Sequence, residues 1–183
     1  MNVTTHTRAP AWQVDRWFNT HDAITLESLR GTVVVLEAFQ MLCPGCASHG
    51  LPQAARVHST FAREQVAVIG LHTVFEHHEA MMPTALQAFL HEYRIPFPVG
   101  VDRAGPDGRI PQTMAAYAMR GTPTLTLIDR NGRIRHQHFG QVSDLVLGAQ
   151  IAGLLAEPAV TADDTVPTQG CTPDGCPVDA QPA

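Results

Sequence analysis

The sequence predicts an α/β sandwich, a mixed central sheet with helices on both faces. Three observations predict it. Apolar, β-branched runs at Thr32–Phe39, Val66–His72 and Phe97–Asp102 alternate with segments of helical periodicity. A hairpin signal, Asn131-Gly132, follows a further strand-like run at Thr124–Asp129. A last apolar stripe, Leu145, Leu147, Ile151, Leu154 and Leu155, closes the pattern as a helix. Strand–helix–strand order with right-handed crossovers puts helices on both sides of the sheet. The chain has 183 residues, enough for one domain with a substantial core.

Taken in order, residues 1–23 form a polar N-terminal extension. Trp12 and Trp17-Phe18 are expected to pack on the domain edge, as a short hairpin strand. Thr25–Gly31 reads as a turn into the strand at 32–39. The helix that follows carries Ala54, Ala55, Val57 and Phe61 on one face, with Gly50 and Pro52 predicting a kink or break near its start, and runs to about Glu64. After the strand at 66–72 come a loop at 73–79 and an amphipathic helix over 81–93, built on Leu86, Phe89, Leu90 and Tyr93. The strand at 97–102, a Gly/Pro-rich loop at 104–111 and a short helix over 113–119 precede the strand at 124–129. Asn-Gly favours a type I′ turn, and the returning strand is 133–139. Residues 24–156 are thus the domain. Residues 157–183 hold five prolines, five acidic residues and no arginine, a composition that favours a flexible tail.

Charge and composition exclude several functions. The net charge is −5 with no basic stripe, which argues against nucleic acid as a partner. All twelve positive residues are arginines, so a Schiff-base lysine and a lysine-bearing phosphate loop are both excluded. No apolar run is long enough to span a membrane, and the first twenty residues lack the apolar core of a signal peptide. The expectation is a cytoplasmic protein without membrane contact. In that setting structural disulfides are disfavoured, so four cysteines in two close pairs point to redox or metal chemistry.

The first pair, Cys43-Pro44-Gly45-Cys46, sits where a strand ends and a helix begins. Unpaired N–H groups and the positive end of the helix dipole gather there, an arrangement that favours a thiolate at Cys43. Pro44 suits the first helical turn, where its missing N–H is not needed.

Several stretches together resemble the thioredoxin-fold proteins, and most nearly the TlpA/ResA-like thiol–disulfide oxidoreductases. They are the run from Gly31 to Phe39 followed by Cys43-Pro44-Gly45-Cys46, then Gly121-Thr122-Pro123-Thr124, the run from Leu127 to Ile134, and Gly140. The segment 73–96, inserted between the second and third of the core strands, also fits that group. The resemblance implies a three-layer sandwich over about residues 24–156. It implies that Cys43 attacks a disulfide and Cys46, buried, resolves the intermediate. Pro123 matches a cis-proline facing the dithiol, and the backbone at Thr122 would pair with an extended substrate. Leu42, Pro44 and Gly45 would complete the substrate surface. Glu37 matches a buried acid able to take or give the Cys46 proton. The departures are Leu42 where tryptophan is frequent, Pro-Gly between the cysteines, and Pro52 one residue later than the family's kink proline.

The implied partners are a disulfide-containing protein or small molecule and a separate electron donor, with no cofactor, and with reduction as the expected direction. Thiol-dependent peroxidase activity is a second possibility, although no Thr-x-x-Cys precedes Cys43. Binding of a metal or thiol-reactive ion by the two pairs is a third. His72, His77 and His78 cluster at a strand's end, yet a solvated loop accounts for the latter two. His136 and His138 alternate along one strand face and read as surface residues. Met81, Met82, Met114 and Met119 read as packing groups rather than a copper site. The second pair, Cys171 and Cys176, brackets an Asp174-Gly175 turn. Its open readings are a shuttle dithiol, part of a four-thiolate site, and a passive end.

Overall fold

The computed structural model describes residues 7–158. Six strands form one mixed sheet. They are β1 (Val14–Phe18), β2 (Val33–Phe39), β3 (Val66–His72), β4 (Val99–Asp102), β5 (Thr124–Ile128) and β6 (Ile134–Phe139), in the spatial order β1-β4-β3-β2-β5-β6. β2, β3 and β4 run parallel, while β1, β5 and β6 pair antiparallel. Four α-helices accompany them, α1 (Leu51–Thr60), α2 (Pro83–Glu92), α3 (Gln112–Ala116) and α4 (Asp144–Ala156).

β2 is buried on both faces, as its unbroken β-branched and apolar run requires. Strand alternation splits it. Val33, Val35 and Phe39 face a core shared with Leu51, Val57, Leu86 and Ile151 of α1, α2 and α4. Val34, Leu36 and Ala38 face a second core with Met114, Tyr117 and the N-terminal extension. By the same alternation Glu37, between Val35 and Phe39, points to the α1 side.

Several expectations change. The tryptophan segment is an antiparallel edge strand on β4 rather than a hairpin, with the Trp12 and Trp17 rings 6.3 Å apart. Trp12 donates to the Tyr117 hydroxyl at 2.9 Å, and that hydroxyl donates to the Pro10 carbonyl, so one buried tyrosine pins the extension to the domain. The 129–133 turn is not type I′. Gly132 alone of its residues has positive φ, at 72°, and its N–H donates to the Asp129 carbonyl. That is a type I turn followed by a left-handed glycine, the three-residue hairpin with a bulge. The Asp129 carboxylate accepts from the N–H groups of Asn131 and Arg133, a side-chain contribution that an Asn-Gly pair does not reveal. α1 ends at Thr60, four residues short of Glu64, and Leu145 is 87% exposed, off the buried stripe of Leu147, Ile151 and Leu154.

Histidine placement also differs. His138 is buried, with Nε2 2.8 Å from Gln150 Oε1 on α4, and His136 is half-buried beside it. α4 covers the face that carries His138, so alternation there does not lead to solvent. His72 is fully buried and packs at a tilt of 48° against Phe39, ring centroids 5.3 Å apart, whereas His77 and His78 are exposed. The three do not converge. Among the described residues no three His, Cys, Asp or Glu side chains form a metal-binding group. Met81, Met114 and Met119 pack in the cores, and Met82 is exposed. No described helix is long and apolar enough to cross a membrane.

Candidate active site

β2 delivers the chain to the dithiol through Gln40, Met41 and Leu42. Gln40 is buried and holds this approach in place. Its carbonyl accepts from Cys43 N–H at 3.2 Å, while its side chain accepts from Phe75 N–H and donates to Glu76. The loop after β3 is thereby tied to the strand end that carries the cysteines. Helical bonding starts at Cys43, whose carbonyl accepts from Ala47 N–H.

The helix does not run on as α. Residues Cys46–Gly50 make one π-helical turn, with Leu51 N–H donating to the Cys46 carbonyl. Pro52 has no N–H to give, so a regular ladder cannot pass it. A π turn accommodates one extra residue in a helix. The one-residue delay of Pro52 and the break expected at Gly50 are a single feature.

Cys43 is half-exposed and Cys46 is fully buried, both as free thiols. Cys43 Sγ lies 3.3 Å from the Cys46 N–H donor and 3.6 Å from the Thr122 carbonyl. The Thr122–Pro123 bond is cis. Gly45 and Gly50 both press on Pro123, since a Cβ at these glycines would lie 3.3 Å from Pro123 Cδ and 3.1 Å from Pro123 Cβ respectively. Leu42, 56% exposed, and exposed Pro44 border the sulfur.

Glu37 lies beneath this layer. A Cβ at Gly50 would collide with Glu37 Oε1 and lie 3.2 Å from its Cδ, so the carboxyl fills the place of the missing side chain. Glu37 Oε1 has no hydrogen-bond partner, and burial raises the carboxyl to about 8. Burial also pushes the Cys46 thiol well up, and its hydrogen bond with Cys43 adds to that. At neutral pH both groups are chiefly protonated. Gly50 is the residue that sequence reasoning undervalued, read only as a helix breaker. Its signal was its position four residues after Cys46, on the same helical face. Gly50→Ala should force Glu37 or Pro123 aside and cost about 1–3 kcal/mol of stability. Urea unfolding of the variant checks this, and an unchanged midpoint would mean the pocket yields freely.

The second pair, Cys171 and Cys176, lies outside the described residues.

A dithiol at a strand–helix junction, opposite a proline loop on a mixed three-layer sandwich, defines a class: the thioredoxin-like redoxins of TlpA/ResA type. The chain belongs to the AhpC/TSA family, whose sequence profile matches residues 5–137, and with it to the thiol–disulfide oxidoreductases of that fold. The crystal structure of a thioredoxin-like superfamily protein is 62% identical, with a TM-score of 0.82 over 84% of this chain and 99% of that one. A thiol-disulfide isomerase from Corynebacterium glutamicum is 51% identical, with a TM-score of 0.78 over 82% of this chain and 98% of the other. Protein DipZ of Mycobacterium bovis is 29% identical over 88% of this chain, which spans only 22% of DipZ's length.

Proposed function

We propose that this chain reduces disulfides through Cys43 and Cys46. The observation that carries the reading is the asymmetry of the pair. Cys43 is open to solvent beside the Thr122 backbone, and Cys46 is sealed under it. An extended segment of a disulfide-containing protein or small molecule lies over Leu42, Pro44 and Gly45 and pairs with Thr122. The Cys43 thiolate attacks one sulfur of the substrate disulfide, forming a mixed disulfide and expelling the other sulfur as a thiolate that takes up a proton. Cys46 then loses its proton and displaces the substrate's second sulfur. The substrate gains two electrons and two protons, and Cys43–Cys46 becomes a disulfide.

Glu37 handles the inner proton. Its ionised form takes the Cys46 proton during resolution. Its neutral form returns one when a thiol electron donor re-reduces the pair and Cys46 leaves as thiolate. The reducing direction goes with a cytoplasmic setting, where thiol pools keep dithiols reduced.

Insulin-disulfide reduction tests the reading. Cys43→Ser should lose at least about a hundredfold in rate. Cys46→Ser should accumulate a mixed disulfide through Cys43, visible by mass spectrometry under non-reducing conditions. Full activity in Cys43→Ser would sink the proposal.

A further inference from the structure

Strand alternation puts Thr124 and Thr126 of β5 and Gln137 and Phe139 of β6 on one face of the sheet, away from His138 and the α4 that covers it. α3, the helix on this side, stops at Ala116 after five residues, and Ala118 follows with a left-handed φ of 49°. The short side chains of Ala116 and Ala118 leave a recess of about 480 Å³ against the two strands. That volume is usual for a small-molecule site. Its apolar walls are Pro10, Tyr117, Ile134 and Phe139.

The walls are held in place from behind. Tyr117 is buried, and its hydroxyl is fixed between the Trp12 N–H and the Pro10 carbonyl. Gln137 Nε2 donates to the Tyr117 carbonyl at 3.0 Å and to the Thr126 hydroxyl at 3.4 Å. Its amide hydrogens are thereby spent, and Oε1 is left as an acceptor. Phe139 packs so closely on Gly121 that a Cβ there would lie 2.9 Å from the ring. A ligand entering such a recess has little side-chain order to impose.

Arg120 is the one charged residue of the lining. Its guanidinium stands 5.1 Å over the Phe139 ring, and it forms no ion pair among the described residues. A guanidinium has only donors, in a fork that fits a carboxylate. At the edge of an apolar recess it is the group that sets which end of a ligand faces out.

We propose that this recess binds an aromatic monocarboxylate, with its ring against Tyr117, Ile134 and Phe139 and its carboxylate paired with Arg120. One cation matches one negative charge, whereas a phosphate dianion would keep an unmatched charge beside apolar walls. A hydroxyl or N–H on the ligand's ring is met by Gln137 Oε1. The recess adjoins the loop of Thr122 and Pro123, since Phe139 rests on Gly121 and Gly140 N–H donates to the Pro123 carbonyl, but it uses neither cysteine.

Titration of the full chain with naphthylacetate, followed by calorimetry and by amide NMR shifts, tests the site. Binding should saturate at a single site, with the shifts concentrated at residues 116–121 and 134–140 and little change in β3. Naphthylacetamide, of the same shape without the charge, should bind the native chain about tenfold more weakly, the scale of one charge-assisted hydrogen bond at an open site. In Arg120→Gln the acid should weaken by the same factor, so that acid and amide bind alike. Ala116→Trp, which fills the recess and keeps Arg120, should abolish binding of both. Failure of the native chain to bind saturably overturns the proposal. So does equal affinity of the native chain for acid and amide, or a set of shifts centred on the 129–133 turn. None of these readouts involves disulfide exchange, so failure of the reading under Proposed function would leave them standing.

Discussion

Raising the pH from about 5 to about 9 should lower the unfolding free energy by about 4–5 kcal/mol through Glu37 alone. The carboxyl is fully buried, and burial moves it from 4.5 to about 8. Between those values the unfolded chain has released the proton and the folded chain still holds it. Stability therefore falls as pH rises across this window and levels off above about 8. A difference of about 3.5 between the two values corresponds to about 5 kcal/mol. Asp102, also raised by burial, adds a slope of the same sign at the acid end of the window. Glu37→Gln cannot ionise, so its unfolding curves, measured in urea at about pH 6.5 and pH 9, above the window in which His72 contributes, should lose most of the fall. The variant should also be the more stable protein at the higher pH. An equal loss in both proteins would show that Glu37 is not the group responsible. The same substitution reads function separately. The Cys46 step should accelerate through about pH 8 in the native chain, where Glu37 becomes able to accept a proton, and Glu37→Gln should remove that component.

A residue held at this cost is consistent with the proton-handling role proposed for it above. Pro123 packs against Gly45 and Gly50, and Glu37 fills the space at Gly50. A leucine at 37 would fit the burial better and would offer the buried thiol no proton partner. A titratable group kept at depth against its cost in stability is the usual pattern at functional sites.

Much of this was legible in the sequence. β3 was read to the residue, and β2 and the final helix to within one residue, because buried strands and amphipathic helices write their periods directly. The burial of Glu37 followed from apolar neighbours on both sides. What was not legible depends on contacts distant in sequence. Gly50 looks like a helix breaker until Glu37 and Pro123 arrive from two strands. The 129–133 turn follows from Asp129 capping its own loop, which overrides the Asn-Gly preference. His138 looks like a surface residue until α4 covers it. Leu145 looks like core until the N-terminal turn of α4 is seen to face outward.

The acid limb of stability should belong to His72. It is fully buried, tilted against Phe39, with neither ring nitrogen hydrogen-bonded, and burial lowers it from 6.5 to about 4. Here the unfolded chain binds the extra proton, so stability is lost as pH falls from about 6.5 to about 4. The loss is about 3 kcal/mol. Between about 4.5 and 6.5 this slope opposes that of Glu37, one proton against one, so a plot of unfolding free energy against pH should show a broad shoulder there and fall on either side. His72→Leu should abolish the acid-side fall. It should also stabilise the protein at neutral pH by about 1–3 kcal/mol, because two unpaired polar atoms leave the core without a change of shape large enough to open a cavity. Thermal and urea unfolding at about pH 4 and pH 7 decide the matter. A His72→Leu chain that keeps the native acid dependence would place the responsible proton elsewhere. One that is destabilised at neutral pH would mean that the imidazole contributes packing which leucine cannot reproduce.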